Sequence, residues 1–124
     1  MANAINFRRC ASKPCGFLLS DISNEPDDAQ SLVRFLLYSN EFDIKGLVAC
    51  TSTWMKSVVH PEDMREIVRA YGQVIDNLNA HVHPENQYRS AEHLLGLIRS
   101  GPPVYGRKAL GLSCTLSDLS LIHI

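Results

Sequence analysis

Two short apolar runs, Gly16-Phe17-Leu18-Leu19-Ser20 and Gly46-Leu47-Val48-Ala49-Cys50, flank a stretch in which Ala29, Leu32, Val33, Leu36 and Leu37 recur with a helical period. This arrangement constrains the fold more than any other feature of the chain. Each apolar run has strand length, and the uniformly apolar end of the second suits a strand covered on both faces of a parallel sheet. Two parallel strands cannot be joined by a hairpin, and the amphipathic segment between them supplies the helical crossover they need. The expected class is therefore α/β.

The rest of the chain extends the pattern. The first helix is expected to end near Ser39-Asn40, and the second strand to run from Phe42 to Thr51. A second helix is expected from His60-Pro61, because proline at the first helical position gives up no hydrogen bond. Met64, Ile67, Val68, Tyr71, Val74, Ile75 and Leu78 continue its period, with Gly72 as the weak point. A third helix is predicted over 91–99, capped by Ser90 and stopped by Gly101-Pro102-Pro103, after a polar connection over 79–89. Two strands leave a sheet edge and an apolar helix face uncovered, so the chain is expected to be incomplete, and prone to aggregation or partial order on its own. Residues 1–13 are expected to be unstructured and 14–112 to form the domain part. Residues 113–124 are expected to be a non-native tail, since 119–124 resemble a translated sequencing adapter.

Charge and cysteines narrow the function. The 124 residues carry 12 Lys+Arg against 13 Asp+Glu, for a net charge of −1. A nucleic-acid partner or electrostatic attachment to a membrane finds no basic excess to rest on. No apolar run approaches the roughly 20 residues of a membrane-spanning helix, and no secretory signal is visible, which leaves the compartment open. Cysteines 10, 15, 50 and 114 show neither zinc-site pairing nor disulfide-scaffold density and are expected to be reduced.

Chemistry concentrates in Asp21-Ile22-Ser23-Asn24-Glu25-Pro26-Asp27-Asp28, four carboxylates within one loop after the first strand and before the first helix. Ligands of open α/β sheets bind at the carboxyl ends of strands. Crowded carboxylates raise one another's pKa unless a cation offsets the repulsion, and all-oxygen donors favour a hard ion, Ca²⁺ or Mg²⁺. The plainer alternative is that Asp27 or Asp28 caps the helix and meets its positive end, a contribution of about 0.3–1 kcal/mol each, while Asp21 and Glu25 are solvated. Thr51-Ser52-Thr53-Trp54 follows the second strand at the same sheet edge, where Trp54 either offers an indole face for stacking or covers the end of the core. His60 reads as a helix-entry residue and His81 and His83 as surface residues, while His93 and Tyr105 show no partner in the sequence. A receiver-like signalling domain would need a phosphoacceptor aspartate, and Cys50-Thr51-Ser52-Thr53 offers none.

The run from Leu19 to Asp28, followed by Ser31-Leu32-Val33-Arg34, Tyr38 to Ile44, Gly46-Leu47-Val48-Ala49, Thr51-Ser52-Thr53-Trp54, His60-Pro61 and Ser100-Gly101-Pro102-Pro103-Val104-Tyr105-Gly106, resembles the nucleoside-hydrolase-like domain of the cellulose-binding protein family. The resemblance covers roughly 13–111. It implies the N-terminal part of an open, mostly parallel three-layer αβα sheet, Rossmann-like and of the nucleoside hydrolase type.

The wider superfamily has Asp-x-Asp-Pro-Gly-x-Asp-Asp at this loop, binds Ca²⁺ there and cleaves N-glycosyl bonds of ribonucleosides. By that resemblance Asp21 and Asp28 would be metal ligands. Asp27, Asn24, Thr53 and Trp54 would contact substrate, and Asp21 or Glu25 would act as base. The superfamily's middle aspartate falls on Ser23, where the nucleoside-hydrolase-like family usually has glycine, so its charge is missing. Two functions follow, N-glycosyl hydrolysis with Ca²⁺, or carbohydrate (cellulose) binding without turnover. The expected partner is a nucleoside or carbohydrate small molecule, with no nucleic acid and no membrane. Oligomerisation stays open for the full-length parent, and the remaining metal ligands are expected downstream.

Overall fold

The structure is a computed structural model, and it describes residues 13–109. Strand β1 spans Cys15–Ser20, helix α1 Pro26–Leu37, β2 Asp43–Ala49, α2 Pro61–Ala80, α3 Ala91–Leu95 and β3 Ile98–Ser100. Short 3₁₀ turns lie at Ser39–Glu41, Pro84–Asn86 and Gly106–Ala109. The strands form one parallel sheet in the order β1-β2-β3. The domain boundaries expected at 1–13 and 113–124 fall outside the described residues, apart from Lys13.

The parallel register places Leu18 beside Leu47 and Leu47 beside Ile98. These three face a single core with Leu32 and Leu36 of α1, Met64, Val68 and Tyr71 of α2, and Leu94 of α3. Fully burying one such side chain is worth about 1.5–3 kcal/mol, so this layer of helix on sheet dominates the stability of the unit. Alternation along β1 turns Leu19 to the opposite face, where it is 61% exposed. The described residues thus supply the parallel sheet and one helical layer. On α1, Leu32 and Leu36 are buried while Val33 and Leu37 are exposed, so the apolar stripe is wider than the core it meets.

Two expectations are corrected. The third helix does not run over 91–99. It ends at Leu95, Gly96 closes it by donating to the Glu92 carbonyl at 3.1 Å, and the chain extends into β3. The sheet therefore has three strands rather than two. The reason is non-local: Leu47 N–H donates to the Leu97 carbonyl at 3.1 Å, and Ile98 gains a buried place beside Leu47 that continued helix would deny it. Second, neither Asp27 nor Asp28 is the N-cap of α1. Glu25 holds that position in extended backbone without a side-chain cap bond, Pro26 begins the helix, and both aspartates lie in its first turn. The Ser90 cap is present, its hydroxyl accepting from His93 N–H at 3.2 Å.

Hydrogen bonds continue the ladders to the carboxyl ends of the strands. Cys50 N–H donates to the Ser20 carbonyl at 2.9 Å and Gly101 N–H to the Ala49 carbonyl at 2.8 Å. A side chain at 101 would bring its Cβ to 3.2 Å from that carbonyl oxygen, so glycine allows the loop after β3 to lie against the end of β2. The loops leaving all three strands are thereby gathered at one end of the sheet.

Candidate functional site at the carboxyl ends of the strands

The aspartyl loop is fixed from inside and from outside. Ile22, 1% exposed, plugs it into the core while Asp21 and Ser23 flank that anchor. Asn24 N–H closes a turn onto the Asp21 carbonyl at 3.1 Å, and Ser23 has φ of 76°, the backbone sign that a type II turn requires at its third residue. Glycine adopts this conformation without a Cβ penalty. Here serine occupies it, and its hydroxyl donates to the carboxylate of Asp63 in the first turn of α2. That contact ties the loop to a second helix. Asp63 carried no signal in the sequence, because its partner lies far away along the chain.

Asp21 at the end of β1 and Asp28 in the first turn of α1 are brought together. A hydrogen bond to Asp21, followed by partial burial and the negative charges of Asp21, Asp27 and Glu25, pushes Asp28 up to about 6. The same bond to Asp28, aided by Ser52 and Asn24, holds Asp21 below its ordinary value. The pair therefore keeps one proton between two carboxyl groups in mildly acidic solution. Such a pair supplies oxygen donors and negative charge, which suits a hard divalent cation. Among the described residues no three His, Cys, Asp or Glu side chains converge as a metal-holding group. Glu25 and Asp27 are exposed at the rim, and Asn24 is half-buried beside them.

The loop after β2 adjoins this pair. Ser52 lies against Asp21, helping to hold its pKa down, and caps its own turn, its hydroxyl accepting from Trp54 N–H at 3.2 Å and Met55 N–H at 3.1 Å. The turn sends Met55 inward, 8% exposed, and leaves Trp54 outward, 82% exposed. Of the two roles open to Trp54, it does not cover the core formed by the described residues, and Met55 is the side chain turned inward there. Thr51 donates to the Val104 carbonyl at 3.1 Å, and the Thr53 hydroxyl lies 2.8 Å from the Tyr105 hydroxyl. Tyr105, without a visible partner in the sequence, is thus strapped to the Trp54 loop. Cys50 sits among these groups, its thiol pushed up by burial and then by the charges of Asp21 and Asp28, which disfavours the thiolate a nucleophile or metal ligand needs.

The histidines lie elsewhere. His60 is the N-cap residue of α2, His81 bonds the Asn77 carbonyl at 2.8 Å, and His83 accepts from Glu85 N–H at 3.2 Å. His93 lines a water-sized pocket with Asp43 and Arg89, away from the acidic pair. No helix among the described residues is long and apolar enough to cross a membrane.

Residues 16–122 match the family described as cellulose-binding Sde182, nucleoside hydrolase-like domain. The chain belongs to this family. Its fold is similar to that of a nucleoside hydrolase-related hypothetical protein from Saccharophagus degradans that is associated with carbohydrate metabolism, with a TM-score of 0.77 and 29% identity. The match covers 88% of this chain and 26% of that one, so the chain spans about a quarter of the length of that relative. Among curated proteins none matches. The similarity accords with the parallel sheet and its helical layer.

Proposed function

We propose that the carboxyl ends of the three strands form part of a carbohydrate-binding site. In it Trp54 stacks on a sugar ring, and Asp21 and Asp28 receive a hard cation, Ca²⁺ or Mg²⁺. The observation that carries this reading is the outward Trp54, 82% exposed, on a loop whose Ser52 lies against Asp21 of the acidic pair. An indole gives the apolar face of a sugar ring a large flat contact, and nearby Asp27, Asn24 and Thr53 offer hydrogen bonds to hydroxyls. The family's description as cellulose-binding and the relative's association with carbohydrate metabolism support the same ligand class.

Polysaccharide pull-down tests it. Wild-type chain is expected to be retained on cellulose and the Trp54→Ala variant to be released. Equal retention of both, or of neither, would contradict stacking as the mode of binding.

A second reading, hydrolysis of N-glycosyl bonds, is favoured by the proton-sharing Asp21–Asp28 pair. A bound cation would orient water and lower its pKa. Asp21 or Glu25 would take the proton, Asp27 would hold a sugar hydroxyl, and the surrounding negative charge would stabilise an oxocarbenium-like sugar. Ser23 weighs against it, since a hydroxyl already donating to Asp63 supplies no charge to a water. Release of free base from nucleosides by the calcium-loaded protein, abolished by Asp28→Ala, would establish hydrolysis. No release under the same conditions leaves binding as the function.

A further inference from the structure

We propose that Tyr105, with Lys56 lying over its ring, forms a second sugar subsite beside Trp54, so that the site takes a glycan of at least two consecutive rings. This rests on the reading of Trp54 as a stacking platform and adds to it the length of the ligand.

Tyr105 comes from the loop after β3 and Trp54 from the loop after β2, yet the two loops are tied together. The Tyr105 hydroxyl lies 2.8 Å from the hydroxyl of Thr53, the residue preceding Trp54 in the chain. Thr51 and the Val104 carbonyl tie the same two loops one step deeper, at 3.1 Å. The Tyr105 hydroxyl is therefore held against the residue that precedes Trp54, with the two loops joined again beneath it. Neither belongs to the core: Tyr105 is 42% exposed and absent from the buried cluster, and Trp54 is more exposed still.

Trp54 stands almost wholly in solvent and Tyr105 keeps 42% of its surface exposed, so both rings have apolar area left for a ligand. Lys56 lies over the Tyr105 ring, its ammonium 5.7 Å from the centroid. Sugar rings present apolar C–H faces and hydroxyl edges, so the aromatic surface of Tyr105 that Lys56 leaves uncovered and the Lys56 ammonium meet the two parts of a second ring. A single nucleoside seated at the acidic pair would leave this second platform unused.

Isothermal titration of the whole chain with glucose, cellobiose and cellohexaose tests the assignment, with calcium present throughout. Wild type is expected to bind cellohexaose more tightly than glucose by about tenfold, the effect of one additional stacked ring. Tyr105→Ala should erase that gain, Lys56→Ala should weaken cellohexaose binding in the same direction, and Tyr105→Phe, which keeps the ring, should retain most of it. If Tyr105→Ala and Lys56→Ala both bind cellohexaose as wild type does while Trp54→Ala does not, the second subsite is overturned and the Trp54 reading stands. If wild type binds none of the three sugars, both fall together.

Discussion

Single residues set the chemistry of the acidic loop. Asp28 titrates near 6 because its proton is held against Asp21. A carboxyl whose folded pKa is raised contributes stability while protonated, and that contribution is lost as pH rises through the folded value. Asp21, shifted down, works in the opposite sense at lower pH, so the ion-free chain is expected to lose stability as pH rises through about 6. Asp28→Asn keeps a donor toward Asp21 and removes the titration. Thermal midpoints measured across that range should fall for wild type and stay level for the variant. Ser23 offers a second test at this scale. Its left-handed backbone costs an L-residue energy that glycine avoids, so Ser23→Gly should be more stable than Ser23→Ala by about 1 kcal/mol in urea unfolding. Both variants lose the hydroxyl contact to Asp63, so their difference isolates the backbone.

Elements depend on partners that differ in sequence distance, and this decides what the sequence could reveal. The first two strands and helices were legible because each carries its own pattern: short apolar runs at 15–20 and 43–49, and helical periods over 26–37 and 61–80. The third strand was not, since Leu94, Leu97 and Ile98 fit a helical period and only pairing with Leu47 makes 98–100 extended. The candidate site divides in the same way. Asp21, Asp28 and Trp54 could be placed from strand ends alone, whereas Tyr105 and Asp63 acquire meaning from Thr53 and Ser23 on other loops. Gly72, a weak point by propensity, proves to be a contact point. A Cβ there would lie 2.7 Å from the Ala91 Cβ of α3. Gly72→Ala gains about 1 kcal/mol of helix propensity, yet overpacking of about 1–3 kcal/mol should outweigh it and lower the urea midpoint.

At the scale of the whole molecule, one face of the sheet is covered by helices and the other presents Leu19, while Val33 and Leu37 stand exposed on α1. Apolar exposure on an edge strand favours association, so the chain alone is expected to self-associate at raised concentration. Leu19→Lys should shift it toward monomer in light scattering. The loops of all three strands meet at the opposite end from their entry, and there the only tryptophan of the chain stands in solvent. Its fluorescence therefore reports on the proposed sugar contact without any label. Titrating the chain with cellohexaose in the presence of calcium, the account predicts a saturable blue shift of Trp54 emission as the indole leaves water. Emission unchanged up to ligand saturation of the solution would contradict it.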